Sequence, residues 1–339
     1  MIVCTTATLS HVPYAMEMAK SLRKHISNVK IVLGLVEEEV PNAVSSSVLF
    51  DQIILAKNLS IPNFNRFMFK LTVPLSQNSI KAQLLHHLFE TDRSADIVVY
   101  VDCFTYFCGP IPEAIHMLDH YPIVVTPHLI DVHFTDAYER EMSLLNDGTF
   151  FGGFIALKRS DEAKDFLLWW SDKLNRDIRD PYASNFFDQK WLNFANVFFN
   201  AGILRHSGYQ VGFWNFYEQS REIESQSNNS IMLKGGPLRL MNFGNENNNF
   251  DLHLDSLSER QSMRMQILRN HYQTNINSHD SYGLRQHAVW SYGSYQSGEK
   301  IADEARIKFR DLHHDHVPAN PFELSNRQIM STSKGADHA

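Results

Sequence analysis

Short apolar runs recur through the first 130 positions, separated by stretches in which apolar residues return with helical spacing. Ile2-Val3-Cys4 opens a strand that runs to Thr6. Residues 13–24 follow with Ala15, Met16, Ala19 and Leu22 on one helical face. Residues 31–36 form a continuous apolar run, the mark of a strand covered on both sides. Residues 51–55 give a shorter strand, and 79–90 a helix with Ile80, Leu84, Leu85 and Leu88 inward. Residues 96–102 are a strand that ends on Asp102. A helix bounded by Pro112 reaches Leu118, and residues 123–126 make another strand, ending at Pro127-His128. This β-α-β-α order predicts an α/β fold with a doubly wound, mostly parallel sheet and helices on both faces. Thr5, Thr6, Asp102 and His128 then gather at the carboxyl ends of their strands, where open α/β sheets bind ligands.

The second half changes character. Residues 151–157 read as a strand containing Gly152 and Gly153. Ser160 caps a helix whose first turn carries Asp161 and Glu162 and whose body carries Phe166, Leu167, Trp169 and Trp170. Adjacent Trp169 and Trp170 cannot share a face, so one belongs to the core. Residues 187–192 begin another helix, 244–249 form an Asn-rich loop, and 261–271 are helical. The expected organisation is one domain over 1–312, in two halves (1–128 and 129–312). A polar, flexible tail is expected over 313–339. Within it His313-His314-Asp315-His316 has metal-binding residue types, but adjacent ligands in a loose segment do not make a defined site.

Composition narrows the classes. Of 339 residues, 43% are hydrophobic and 20% charged, which suits an ordinary core, and the net charge of -7 argues against a nucleic-acid partner. Three cysteines (Cys4, Cys103, Cys108) at no zinc-like spacing read as reduced thiols. The chain opens directly into a strand with no charged-then-apolar leader, and no apolar run reaches the roughly 18 residues of a membrane span. A cytoplasmic location without a transmembrane segment is expected. The turn Thr5-Thr6-Ala7-Thr8-Leu9-Ser10 lacks both glycine-rich phosphate patterns, which speaks against dehydrogenases and P-loop NTPases.

On spacing alone, each candidate has two readings. The Thr5, Thr6 and Thr8 hydroxyls suit either a base or ribose, or the local backbone of a turn. Asp102 suits either a ligand contact or a cap on the next turn. Asp188-Gln189, opening a helix, suits either a sugar or ordinary helix-start chemistry.

Taken together and in order, several segments resemble a bacterial family of GT-A-fold glycosyltransferases, distantly similar to the family 8 nucleotide-sugar transferases. They are Ser21-Leu22-Arg23-Lys24-His25, the helix carrying Lys81, Val99-Tyr100-Val101-Asp102, and Thr126-Pro127-His128-Leu129. The run from Gly148 through Gly152-Gly153-Phe154 to Trp169-Trp170 is the strongest match, followed by Phe187-Asp188-Gln189-Lys190-Trp191-Leu192 and Gly212-Phe213-Trp214-Asn215. Gly236-Pro237-Leu238-Arg239, Tyr292-Gly293-Ser294-Tyr295 and Arg306 complete it.

The resemblance implies a GT-A-like fold with a C-terminal acceptor-side region. It implies transfer from a nucleotide-sugar donor, foremost a UDP-sugar, to a glycan, lipid-linked or protein acceptor, with peripheral membrane association compatible. Thr5 and Thr6 would line the nucleotide pocket, with Lys81, Asp102, His128, Gly153 and Lys234 also on the donor side. Asp188 and Gln189 would carry the catalytic roles. The departures are specific. Asp102-Cys103-Phe104 stands where the family has Asp-x-Asp, and Asn242-Phe243-Gly244-Asn245 stands where it has His-Phe-Ser-Gly. Asp102 would thus be the one remaining ligand of any metal, which sets a divalent Mn or Mg in doubt. Two functional expectations follow: a transferase able to work without metal, or a catalytically silent relative that binds a sugar, nucleotide or protein partner.

Overall fold

The computed structural model describes residues 1–132, 138–176, 187–227, 230–244, 250–255, 257–312 and 318–332. Its central sheet has seven strands: β1 (Ile2–Ala7), β2 (Lys30–Leu35), β3 (Gln52–Leu55), β4 (Ile97–Val101), β6 (Ile123–Pro127), β7 (Phe150–Lys158) and β8 (Ala201–Ile203). Their order is β3-β2-β1-β4-β7-β6-β8. The pairs β1–β2, β2–β3, β1–β4 and β6–β8 are parallel, whereas β7 runs antiparallel to both β4 and β6. The mostly parallel sheet expected from the sequence is present, with β7 reversed inside it. Residues 150–157 are buried on both faces, so β7 has no polar side to reveal its direction.

Successive side chains of β1 enter different cores, as the period of two requires. Ile2 and Cys4 pack with Leu84, Leu88 and Trp170 under the helices Lys81–Thr91 and Asp161–Arg176. Val3 and Ala7 pack with Ala15, Ala19 and Leu22 of the helix Val12–His25. The expected helix over 79–90 is interrupted: Val73–Ser79 and Lys81–Thr91 meet at Ile80, whose ψ of 1 lies outside the helical region. Trp170 is the core member of its pair, stacked on Phe166 at 5.7 Å, while Trp169 is only partly buried and meets Trp191 edge-on.

Outside the main sheet, β5 (Thr105–Phe107) pairs antiparallel with β12 (Leu240–Asn242). A small sheet joins β9 (Ile223–Gln226), β10 (Ile231–Leu233) and β11 (Gly236–Pro237). The β5–β12 pair brings Asn242 beside Asp102, across 140 positions.

The C-terminal region differs from the expected loose tail. Pro321–Glu323 forms a short turn of helix, and Asn326–Ser331 a helix capped by Ser325, whose side chain accepts from the Gln328 amide. Phe322 and Ile329 are buried, and Phe322 packs on Phe69 at 5.3 Å. Upstream, Trp290 donates to the Val36 carbonyl at 3.0 Å, and the Arg306 guanidinium donates to the Phe69 and Tyr292 carbonyls. The segment from Trp290 onward is thus laced to the N-terminal half. The histidine cluster His313-His314-Asp315-His316, the stretch 245–249 and residues 333–339 lie outside the described residues. Among the described residues, no helix is long and apolar enough to cross a membrane.

Candidate active site

From β1 the sheet is built outward in both directions, to β2 and β3 on one side and to β4 on the other. Chain connections leave the carboxyl ends of β1 and β4 in opposite directions, which opens a crevice between them. A cleft of about 400 Å³ lies there, lined among others by Thr6, Lys81, Asp102, Asp188, Gln189 and Asn242.

At its centre is a buried ion pair. Lys81, the first residue of its helix, donates through Nζ to Asp188 Oδ2 at 2.8 Å and to the Gly152 carbonyl at 3.1 Å. The two side chains are 4% and 1% exposed, so neither charge has water to replace its partner. The same ammonium lies 5.2 Å from the centre of the Tyr100 ring. Gly152 packs directly on this ion pair: a Cβ there would stand 2.5 Å from Asp188 Oδ2. Its amide donates to Gln189 Oε1 at 3.2 Å, and the Trp170 indole donates to the Asp188 carbonyl at 3.1 Å. Strand β7 and the helix Asp161–Arg176 thereby fix the start of the helix Phe187–Leu192. Asp188 Oδ1 has no hydrogen-bond partner among the described residues.

Asp102 follows β4 and accepts through Oδ1 from the Phe104 amide at 2.9 Å and from Asn242 Nδ2 at 3.3 Å. Burial raises its carboxyl above the ordinary value, against the opposing pull of the Lys81 ammonium and these two donors. Phe104 fills the neighbouring space with an aromatic ring, edge-on to His11 at 5.2 Å and to Tyr14 at 5.0 Å.

The donor set around Asp102 does not suit a divalent cation. The Gly244 amide donates to Asn242 Oδ1 at 2.9 Å, which fixes the orientation of that side chain. Asn242 therefore turns its NH₂, a donor, toward Asp102, and Phe104 supplies no ligand atom. Among the described residues, no group of three His, Cys, Asp or Glu side chains could hold a metal. Lys81 is the one Lys or Arg lining the cleft among the described residues, against Asp102, Asp147 and Asp188.

The remaining predicted residues divide. Thr6 reaches the cleft, but its hydroxyl is engaged with the Gln77 carbonyl at 3.1 Å and the Tyr100 hydroxyl at 2.8 Å. His128 lines the cleft with its ring buried, which lowers its pKa to about 4, and its Nδ1 has no partner among the described residues. Gly153 lines it too, and its carbonyl accepts from the Asp102 amide at 2.8 Å. Two expectations need correction. Thr5 is fully buried and does not line the cleft, because adjacent strand residues point to opposite faces and Thr6 takes the cleft side. Lys234 lies away from the cleft, half-exposed and ion-paired with Glu222, in a shallow hollow with Asp131 and Ser220.

Sequence reasoning passed over three contributors. Gly152 is legible as part of a strand and of the Gly-Gly-Phe match, but its packing on Asp188 is not. His11 lines the cleft just after β1, and burial lowers its pKa to about 4. Phe151 and Trp214 stack at 4.9 Å with 24° between their planes, and the His128 ring meets both edge-on. The Gly-Phe-Trp-Asn run was the one signal that pointed to Trp214.

No family model and no curated protein matches the chain. Among solved structures, the galactosyltransferase LgtC, in complex with donor and acceptor sugar analogues, is similar over 82% of this chain and 96% of its own. The identity is 12% and the TM-score 0.49. An active-site mutant of LgtC gives the same values. Mouse xyloside xylosyltransferase 1, in its apo form, is similar over 73% of this chain and 97% of its own, at 12% identity and a TM-score of 0.38. These are likenesses in the arrangement of elements, at an identity too low to carry residue roles from one chain to another.

Proposed function

We propose that this protein is a glycosyltransferase that takes a sugar from a nucleotide-sugar donor, foremost a UDP-sugar, and passes it to a glycan, lipid-linked or protein acceptor. One observation carries the reading. Lys81, Asp102, Asp188 and Gln189, brought together from distant parts of the sequence, line one cleft where the strand order reverses, and the Gly152 carbonyl accepts from Lys81 behind them. In this reading Asp188 Oδ1 accepts from a sugar hydroxyl, and the Gln189 amide, oriented by the Gly152 N–H, donates to the sugar. Asp102 meets the ribose. Lys81 holds Asp188 in place and supplies the positive charge nearest the departing phosphates. The step proceeds without a divalent ion, because the Asn242 NH₂ and the Phe104 ring stand where ligands would be needed.

A second reading, a silent relative that binds a sugar, nucleotide or protein partner, is favoured by the same Lys81: its charge is already matched by Asp188. Calorimetric titration of nucleotide sugars, with and without Mn²⁺, separates the readings. If no donor binds under either condition, the transferase reading fails. If purified protein releases or transfers the sugar, and Asp188→Ala abolishes this, the silent reading fails. Phe104→Asp with Asn242→His asks what became of the metal site: a gain of Mn²⁺-stimulated turnover marks a recently lost site, and no gain marks one rebuilt for metal-free work.

A further inference from the structure

The turn that follows β1 is held from outside the cleft that it helps to line. Leu9–His11 is a single turn of 3₁₀ helix, and His11 belongs to the cleft wall. His11 Nδ1 lies 3.1 Å from Thr8 Oγ1 and within hydrogen-bond reach of Gln77 Nε2. Gln77, another residue of the wall, accepts through Oε1 from the Cys103 thiol, which leaves its NH₂ for His11. Nδ1 is therefore the acceptor, and the neutral ring carries its proton on Nε2. Burial lowers the pKa of this ring to about 4, so it stays neutral through the working range.

Behind the turn stands Glu37, just past β2 and 2% exposed. Its Oε1 accepts from the Leu9 amide at 2.8 Å. Its Oε2 accepts from the Ser291 amide at 2.8 Å and from the Ser291 hydroxyl. One carboxylate thus ties the β1 turn to a residue 254 positions downstream of it in the chain. Each of these partners is a donor, so the position needs an acceptor at both ends. A Gln there would turn its NH₂ against an N–H on one side or the other. Burying a carboxylate is costly, and burial raises the Glu37 carboxyl against the pull of its three donors. Apolar packing would join the two segments at less cost, but without fixing their geometry. The helix Leu284–His287 packs on the same turn, so the C-terminal region supports it from two places.

We infer that Glu37 and Ser291 are positioning residues for the donor: they hold the Leu9–His11 turn, and with it the His11 ring, in the cleft wall beside β1. This rests on reading the cleft as a site for a nucleotide-sugar donor. In that reading Asp188 and Gln189 meet the sugar and Asp102 the ribose, which leaves the wall beside β1 for the rest of the nucleotide. The C-terminal region, expected on the acceptor side, then serves the donor through Ser291.

The test uses the full chain labelled with ¹⁵N at histidine, with the His11 ring signals assigned by their loss in His11→Gln. Calorimetry with UDP, and with ADP, GDP and CDP in parallel, gives nucleotide affinity. The parent should show His11 as a single neutral tautomer protonated on Nε2. Ser291→Ala removes one donor to Glu37 at an exposed position, so it opens no buried void. It should shift the His11 ring nitrogens and weaken binding of the preferred nucleotide roughly three- to tenfold. Ser291→Thr keeps the hydroxyl and should restore both. Ile329→Val thins a buried contact in the same region, leaves the partners of Glu37 in place, and should move neither. An unmoved His11 signal in Ser291→Ala overturns the inference, as does a shift that Ser291→Thr fails to reverse or that Ile329→Val reproduces. A shifted ring with unchanged nucleotide affinity overturns the role in donor binding while leaving the transferase reading intact. If the parent binds none of these nucleotides, the transferase reading fails and takes the donor role with it, even where the His11 signals show the ring to be held by Ser291.

Discussion

Replacing Lys81 by Met removes the one positive charge that lines the cleft among the described residues, while keeping the length of the side chain. The ammonium sits 2.8 Å from Asp188 Oδ2, with both side chains almost wholly out of water. At an effective dielectric near 20, two unit charges at that separation attract by about 6 kcal/mol, and the desolvation already suffered by both ions offsets part of it. Removing one member does not restore the other's hydration, so Lys81→Met should cost about 3–5 kcal/mol of stability. The Gly152 carbonyl also loses a donor at 3.1 Å. Replacing both charges, as Lys81→Met with Asp188→Leu, should recover stability to within about 1–2 kcal/mol of the parent, because an apolar pair of similar volume carries no uncompensated charge. Urea unfolding at neutral pH, followed by far-UV circular dichroism, measures all three proteins. Sugar release from the donor should be lost in both variants. A single-variant cost below about 1 kcal/mol would refute the reasoning, as would a double variant no more stable than the single.

Three other expectations can be checked on the same protein. Burial raises the Asp102 carboxyl, so it favours the fold while protonated and loses that contribution as pH rises through its raised value. Asp102→Asn should therefore be more stable than the parent at neutral pH, with the gap closing below about pH 4, and urea midpoints at the two pH values decide it. The pKa values of His11 and His128 are both lowered to about 4, so each favours the fold above the ordinary histidine range and loses that support as pH falls toward about 4. The loss is on the order of 3 kcal/mol for each, and His11→Gln with His128→Asn should flatten the acid side of the stability curve; an unchanged slope would contradict this. Gly152→Ala drives a methyl group against Asp188 Oδ2 and should cost about 1–3 kcal/mol together with donor turnover, whereas parental melting and turnover would show that the strand and carboxylate can part freely.

The local patterns were legible and the partnerships were not. The apolar runs at 31–36 and 96–102 announced buried strands, and the strand-end position of Asp102 followed from them. Thr5 and Thr6 show where local reading stops short: a period of two allows one of them at the cleft, but the sequence does not say which face the cleft occupies. Lys234 is expected on the donor side, yet Glu222 across the β9–β10 hairpin claims its charge. Asp188 and Lys81 meet across 107 positions, a pairing that no window of residues reveals. The segment after residue 317 looked solvated because polar residues outnumber its anchors, and Phe322 and Ile329 suffice to dock it. Phe104 announced a missing ligand at once. That Asn242 would present its donor end depended on the Gly244 amide, a matter of backbone course.

The lacing of the C-terminal region to the N-terminal half also bears on the order in which the chain is made. The Phe69 carbonyl waits for Arg306, 237 positions downstream, and the Val36 carbonyl waits for Trp290, 254 positions downstream. At ~5–20 residues per second of synthesis, the first of these delays lasts roughly 12–50 s. Through that interval Phe69 lacks Phe309 and Phe322, which pack against its ring. A nascent chain of this kind has a long window in which an incomplete core is open to chaperones or to other chains, and the docking of Trp290, Arg306 and Phe322 is a late step of assembly.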